Sequence, residues 1–181
     1  TLVAKDLGAA RELRRIWEDR QVEKDYLAIV HGHPREAHWL IDAPLGKDEQ
    51  SRVAIKDCVR ADGAAAKTEY WVQRRFTRGQ RPFALLLARP YTGRKHQIRI
   101  HLAHIGHPIV GDKIYGGDED LYLALVENRL TPEQRQRLIL PHHALHAREV
   151  RFAWRGENRT FCAEPEGWFT SWLEAGDVRD V

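Results

Sequence analysis

The segment 67–90 constrains the fold more than any other, because it contains two strand patterns joined by a short turn. Thr68, Tyr70 and Val72 alternate with Glu69, Trp71 and Gln73, which is the period of a strand whose two faces differ. RGQRP supplies a turn, and PFALLLARP at 82–90 is typical of a buried strand. Two strands separated by so short a turn pair locally, so this segment predicts an antiparallel sheet.

Other strand patterns also come in runs. We predict strands in YLAIV within 22–32, in HWLIDAPL at 38–45 and in SRVAIKD at 51–57, and a hairpin over 149–165 that turns at Gly156. Strands that follow one another and pair locally favour an α+β fold over a doubly wound one. The expected architecture is therefore one domain, residues 1–181, with a mixed, mostly antiparallel sheet and flanking helices.

Five segments carry helical signals. Asp6 is a good N-cap for a helix whose apolar residues recur from Leu7 to Trp17. The second helix is predicted over 96–106, with Thr92 as its N-cap, Gly106 as its C-cap and Pro108 beyond it. The remaining helices are predicted over 118–129, over 131–140 and over 167–176.

Composition excludes several classes of protein. The chain has 181 residues, 43% of them apolar and 30% charged, which suits a folded domain rather than a disordered chain. The longest apolar runs are too short to cross a bilayer, and the first ten residues lack the pattern of a signal peptide. Cys58 and Cys162 lie far apart and fit a reducing compartment. We therefore expect a cytoplasmic protein without a membrane partner.

Charge is distributed unevenly along the chain. Between Tyr70 and Gly111 there are eight Lys and Arg residues and no Asp or Glu. Because the whole chain carries +3, the residues outside this segment carry −5. A basic surface on an acidic body is what a polyanion-binding protein needs, so the pattern predicts an unpaired basic surface that binds nucleic acid.

The predicted helix at 96–106 is the strongest candidate for a functional element. Ile98, Leu102 and Ile105 form its apolar face, while His96 and Arg99 lie one turn apart on another face. An arginine held by a helix can bind a carboxylate or phosphate through two parallel hydrogen bonds. The preceding Gly93 lets the backbone approach a ligand closely.

Other chemistries have weaker signals. Histidines cluster at 96–107 and 142–146, yet only His101 and His104 have the spacing of metal ligands on one helix, and no HExxH accompanies them. Ser51 and Ser171 lack a GxSxG setting, and neither phosphate-binding glycine motif occurs. These patterns disfavour a metal site, an NTPase and a dinucleotide-dependent enzyme; a metal-dependent hydrolase that uses the histidines is the weakest alternative.

A long motif carries a family resemblance. R-P-x-T-G-R-x-H-Q-I-R-x-H-L-A-x-x-G-H-P-I-x-G-D-x-x-Y-G, at 89–116, resembles the signature of the RluA-type pseudouridine synthases, and segments 20–32, 65–72 and 144–152 resemble the strands of that family. The resemblance implies the pseudouridine synthase catalytic-domain fold with a central RNA-binding cleft. It also implies isomerisation of specific uridines in large-subunit ribosomal RNA or transfer RNA. Such enzymes use no cofactor, and the resemblance favours a monomer without an obligate protein partner.

The resemblance assigns roles to six residues. Tyr26 would stack on the extruded uracil and could act as general base, although the strand pattern alone favours a core aromatic. Arg99 would pair with the catalytic aspartate and hold it ionised. The other four, Arg94, Lys95, His96 and Gln97, would line the cleft rim and contact RNA.

The nucleophilic aspartate of the family lies in an H-R-L-D motif that does not occur in these 181 residues. By the resemblance this motif would lie just before Thr1. We therefore expect the chain to be the C-terminal major part of a catalytic domain, inactive by itself. The alternative is a non-catalytic RNA-binding module or a degenerate synthase that never had the aspartate.

Overall fold

The computed structural model describes residues 2–175 and 177–178. The strands in this part of the chain are β1 (Val22–His31), β2 (His38–Asp42), β3 (Leu45–Lys47), β4 (Asp57–Val59), β5 (Lys67–Arg78), β6 (Arg81–Pro90), β7 (Leu145–Trp154), β8 (Glu157–Cys162) and β9 (Asp177–Val178). The helices are α1 (Leu7–Glu18), α2 (Gln97–His104), α3 (Asp120–Val126), α4 (Pro132–Leu138) and α5 (Gly167–Glu174). No helix of the described residues is long and apolar enough to cross a membrane.

A seven-stranded sheet forms the centre of the molecule. Its order is β2-β5-β6-β1-β7-β8, with β9 on β5, and β3 pairs with β4 in a second small sheet. The segment 67–90 forms the predicted hairpin, paired from Thr68 opposite Pro90 to Arg78 opposite Arg81, with a shift of register between Val72 and Arg74. Every pairing between these strands is antiparallel, which confirms the α+β class.

The main core lies on the middle strands. Ala28, Ile29 and Val30 of β1 are completely buried. From α5, Trp172 packs edge-on against Phe83 of β6, with ring centroids 5.0 Å apart. The hairpin of β7 and β8 and the helices α1, α3, α4 and α5 lie where the sequence predicts them; residue 176, the predicted end of the last helix, lies outside the described residues. The caps expected at Asp6 and Thr131 are also present.

The strand predicted at 51–57 is wrong. Only Asp57 enters a strand, and the residues before it form bends and turns. The reason is Glu119, which accepts hydrogen bonds from the Ser51 hydroxyl and the Arg52 amide and forms an ion pair with Lys56. These contacts, led by the hydrogen bond from Lys56, lower the pKa of Glu119 to about 2. A loop fixed by one carboxylate has replaced the strand.

The helix α2 differs from the prediction at its start and in its exposure. It begins at Gln97, after His96 in a left-handed conformation (φ 57°), and Thr92 does not cap it. Ile98 and Leu102 are buried as predicted, whereas Ile105 is 37% exposed. The polar residues of this helix are also buried, because α2 lies between the main core and a second apolar cluster that includes Ile100 and Tyr115. The expected two-sided helix is therefore enclosed on most of its surface.

Candidate active site

A cavity of about 380 Å³ opens between β1, the loop after β6 and the start of α2. Its lining comprises Lys24, Tyr26, Pro90, Thr92, Gly93, Arg94, His96, Gln97, Ile98, Arg99, His143 and Leu145. Five of the six residues predicted for the site therefore meet here, and among the described residues no Asp or Glu lines this cavity. A larger hollow of about 780 Å³ lies at the β5–β6 turn and contains none of the six.

The strand β1 positions Lys24 and Tyr26. Residues two apart in a strand point to the same face, and here that face borders the cavity. The pairing of β1 with β7 shifts register between Asp25 and Tyr26, an irregularity of the kind that re-aims side chains beside active sites. Burial raises the pKa of Tyr26, so its phenol is protonated at neutral pH.

Arg99 is held by a buried carboxylate that the sequence analysis did not pair with it. Its Nε and Nη2 donate to the two oxygens of Asp112, both at 2.7 Å. Oδ1 of Asp112 also accepts from the backbone amides of Ile114 and Tyr115. Burial opposes ionisation of Asp112, but the bonds and charge of Arg99 hold its pKa below the usual value. Arg99 is thus already paired within this chain, and its Nη1 makes no hydrogen bond to the described residues.

Gln97 has a structural role that its motif position does not reveal. Its side-chain amide donates to the carbonyl of Lys67 and the hydroxyl of Thr68. Its side-chain oxygen accepts from the Thr92 hydroxyl and the Arg94 amide. These four bonds tie the loop after β6 to β5, and the residue is only 4% exposed. An RNA contact by Gln97 stays a prediction.

The two histidines that line the cavity are uncharged at neutral pH. Burial, and then the charge of Arg99, lower the pKa of both His96 and His143. His96 Nδ1 is hydrogen-bonded to the Tyr115 hydroxyl at 3.0 Å. The site therefore offers neutral imidazoles beside fixed cations.

The histidines singled out as possible ligands do not converge. His101 is fully buried, and its ring nitrogens contact the Ala43 carbonyl and the Thr68 hydroxyl, each at 3.0 Å. His107 contacts the carbonyl of His31 instead. Within residues 2–175 and 177–178, no three His, Cys, Asp or Glu side chains are arranged to hold a metal ion.

The prediction of an unpaired basic surface over 70–111 is wrong for three of its eight cations, Arg89, Lys95 and Arg99, each of which meets a carboxylate. Lys95 lies outside the cavity, 3.1 Å from Asp57, and Arg89 pairs with Asp25. Arg75, Arg78 and Arg94 donate to backbone carbonyls. Every carboxylate in these pairs comes from outside the segment, which a count of charges along the chain cannot detect.

Sequence reasoning missed three residues at or beside the cavity: Lys24, Asp112 and His143. Lys24 has no hydrogen bond or ion pair to the residues that the structure describes, and burial lowers its pKa. A signal for it existed, because it lies two residues before Tyr26 in a predicted strand. A signal for Asp112 also existed, since it is the first acid after Arg99.

The chain is similar in sequence to known RNA pseudouridine synthases. Residues 1–104 match the family model for RNA pseudouridylate synthase. An uncharacterised RNA pseudouridine synthase from Aquifex aeolicus (strain VF5) is 39% identical over 115 residues, which are 64% of this chain and 35% of the relative. The dual-specificity RNA pseudouridine synthase RluA of Escherichia coli (strain K12) is 40% identical over 118 residues, which are 65% of this chain and 52% of the relative. The chain thus spans about half, or less, of the length of these relatives.

Solved structures show the same fold. Human RNA Pseudouridylate Synthase Domain Containing 1 aligns with a TM-score of 0.76 and 26% identity, over 98% of this chain and 68% of that one. Human RNA Pseudouridylate Synthase Domain Containing 4 aligns with a TM-score of 0.68 and 24% identity, over 94% of this chain and 68% of that one. The architecture is that of a pseudouridine synthase domain. The chain belongs to the RluA-type RNA pseudouridine synthase family, which confirms the resemblance found in the sequence.

Proposed function

We propose that the protein containing this chain isomerises uridine to pseudouridine in structured ribosomal or transfer RNA, with Tyr26 and Arg99 in its active site. The observation that supports this most is the cavity itself. It collects five of the six residues predicted for the site, and none of its described lining residues is an acid. An extruded nucleotide is an anion with a flat ring, and this lining offers it cations and an aromatic side chain.

Arg99 would act through the nitrogen that Asp112 leaves open. Asp112 occupies Nε and Nη2 and fixes the plane of the guanidinium. Nη1 can then donate to a second carboxylate, the nucleophilic aspartate of the family motif, which is absent from the printed residues. A nearby guanidinium favours the ionised form of such an aspartate, and ionisation is what a nucleophile requires.

Tyr26 is better suited to stacking than to proton transfer. A general base must be able to release its own proton near the working pH, and burial raises the pKa of Tyr26 instead. Its aromatic ring needs no ionisation to pack against a uracil face. We therefore keep Tyr26 as the residue that touches the base and do not assign it the proton at carbon 5.

RNA phosphates would meet the cations of the rim. Arg94 is exposed, and its Nε donates to the carbonyl of Ala65, which leaves the rest of the guanidinium for a ligand. His96, although uncharged at neutral pH, lies at the positive end of α2, where the helix dipole favours anions. Contacts of this kind predict RNA affinity that falls steeply with added salt. We propose that the protein acts on RNA as a cytoplasmic monomer.

The test is tritium release from RNA labelled at carbon 5 of uridine. The chain should be expressed together with its upstream codons, beside Arg99→Ala, Arg99→Lys and the exposed control Arg52→Ala. We expect release by the wild type and by Arg52→Ala, and none by either Arg99 variant, since lysine keeps the charge but loses the fork. Circular dichroism would separate loss of activity from loss of folding.

The opposite result would favour the other reading of the sequence. Salt-dependent binding to RNA, without release from a broad RNA pool, would indicate an RNA-binding module or a degenerate synthase. Tyr26 and Arg99 would then lose their catalytic assignment.

A further inference from the structure

A second cavity, of about 240 Å³, adjoins the candidate active site. The two share Lys24, Pro90, Thr92, Gly93 and Arg94, so the loop after β6 and one residue of β1 form a common wall. The second cavity adds Trp17, Glu18, Arg20, Val22 and Tyr91, which come from the end of α1, the start of β1 and the same loop. It is too small for a drug-sized ligand but has room for a flat ring.

Two aromatic residues, Trp17 and Tyr91, line the second cavity. Trp17 packs edge-on against Phe152, with centroids 5.3 Å apart, and is still 38% exposed. Tyr91 donates its hydroxyl to Glu69 and is 50% exposed. Each aromatic side chain is therefore held by one contact while much of its surface stays open. Fixed, partly open aromatic rings are what proteins use to stack single-stranded bases.

The common wall contains two cations, Lys24 and Arg94, and no Asp or Glu. Lys24 makes no hydrogen bond or ion pair to the described residues, and burial lowers its pKa. A Cβ added at Gly93 would meet nothing within 4 Å except Lys24 Nζ, at 3.7 Å, so the backbone beside the amine is open. The one carboxylate that the described lining contains, Glu18, already pairs with Arg14 at 2.7 Å. A partly desolvated cation is costly unless an anion compensates it, which points to a ligand at this wall.

We propose that the second cavity is the subsite for the nucleotide adjacent to the target uridine. The base of that nucleotide stacks against Trp17 and Tyr91, and the phosphate that joins the two nucleotides binds Lys24 at the common wall. Neighbouring nucleotides share one phosphate just as the two cavities share one wall, so a single chain of RNA fits both. This inference rests on the proposed function, because that function places the target uridine in the first cavity.

The experiment uses the full-length protein and seven-nucleotide RNAs that contain one uridine among abasic residues. One RNA has no other base, and two others regain a single base on the 5′ or the 3′ side of the uridine. We expect one restored base to raise wild-type affinity about fivefold or more. Trp17→Ala should abolish that gain, whereas the matched control Trp168→Ala, whose ring is similarly exposed at 37%, should keep it.

A second set of variants tests whether Lys24, in the common wall, binds a phosphate. Lys24→Met should weaken binding of every RNA and reduce the slope of log affinity against log salt by about 0.7, the value for one phosphate contact on a single strand. Lys5→Met, which removes the same charge from an exposed position, should leave the slope unchanged.

The two hypotheses fail in different ways. If the restored base helps Trp17→Ala as much as the wild type, or Lys24→Met keeps the full slope, the subsite is refuted even when the wild type releases tritium. If the gain depends on Trp17 and the slope on Lys24 while no tritium is released, the RNA subsite stands and the synthase proposal fails.

Discussion

The two faces of β1 differ in whether their charged side chains have partners of opposite charge. On one face, Asp25 accepts from Arg89 at 2.7 and 2.8 Å and from Arg151 at 3.0 Å, and Arg151 also pairs with Glu23. On the other face, which borders the cavity, Lys24 has no such partner among the described residues. Glu23, Lys24 and Asp25 are consecutive residues, so the difference lies in what packs against each face.

The contrast separates charges that build the fold from charges that await a ligand. Arg89 lies on β6 and Arg151 on β7, so Asp25 fastens β1 to both neighbouring strands. Burial opposes ionisation of Asp25, but the bonds from these two arginines lower its pKa overall. For Lys24, burial lowers the pKa and no anion among the described residues opposes that shift. A charge that is desolvated and uncompensated is a candidate for function.

The largest expected effect comes from the buried pair of Arg99 and Asp112 beside the cavity. Asp112→Ala leaves Arg99 without its carboxylate and two backbone amides without their acceptor. We expect the free energy of unfolding to fall by about 3–5 kcal/mol, the usual cost of breaking a buried ion pair. Urea denaturation measures this, with Asp57→Ala, which breaks an exposed pair, as the control. A loss as small as that of the control would mean that Arg99 does not depend on Asp112.

The next effect tests the two faces of β1 against each other. Asp25→Asn should lower the free energy of unfolding by about 1–3 kcal/mol, less than a fully buried pair because its two arginines stay about 30% exposed. RNA affinity should not change. Lys24→Met should do the reverse, with stability kept or slightly raised and RNA affinity lowered, because it removes a desolvated cation.

Urea denaturation and RNA titration of both variants measure this exchange of effects. If both variants lose stability and keep RNA affinity, the cavity face is as structural as the other face. The proposed difference between the two faces of β1 would then disappear.

The sequence predicted the strands better than it predicted which side chains form pairs. Alternation and turn residues were sufficient for the hairpin of β5 and β6, because these signals are local. Asp112 lies only 13 residues after Arg99, yet their pairing needs α2 to be enclosed by two cores. The loop at 51–57 is fixed by Glu119, more than 60 residues away, which no local pattern reveals.

The candidate site shows the same limit. The family resemblance identified Tyr26, Arg94, His96, Gln97 and Arg99, and the fold brings all five to one cavity. The motif could not show that Gln97 is occupied by four protein hydrogen bonds and that Lys95 faces Asp57. Those facts depend on packing between distant segments.

Changes in pH should separate the contribution of the buried histidines from that of Asp25, with a smaller effect. His96, His101 and His143 have pKa values lowered first by burial, so the folded state binds fewer protons than the unfolded chain below about pH 6.5. Stability should therefore decline as the pH falls from 7.5 to 5.5, and His101→Asn should flatten part of that decline. Asp25 has a lowered pKa, so its contribution is present above about pH 3.9 and is lost only as the pH falls through the folded-state value.

Urea denaturation at pH 7.5, at pH 5.5 and at about pH 2.5, below the ordinary pKa of an aspartate, distinguishes these windows. Asp25→Asn should leave the upper window unchanged and flatten the lower one. If Asp25→Asn flattened the upper window, Asp25 rather than the three histidines would account for the neutral-pH sensitivity.

The smallest expected effect is that of Lys95→Met. This variant compares a lysine that has a carboxylate partner with Lys24, which has none among the described residues. Lys95 and Lys24 carry the same charge near the same helix, but Lys95 lies 3.1 Å from Asp57 and donates to the carbonyl of Ile55. An exposed pair of this kind contributes at most about 1 kcal/mol, so stability should hardly change. Since Asp57 already compensates this cation, the salt slope of RNA binding should fall less than in Lys24→Met. If both variants lose an equal slope, RNA displaces Asp57 from Lys95, and pairing in the free protein does not distinguish structural charges from ligand-binding ones.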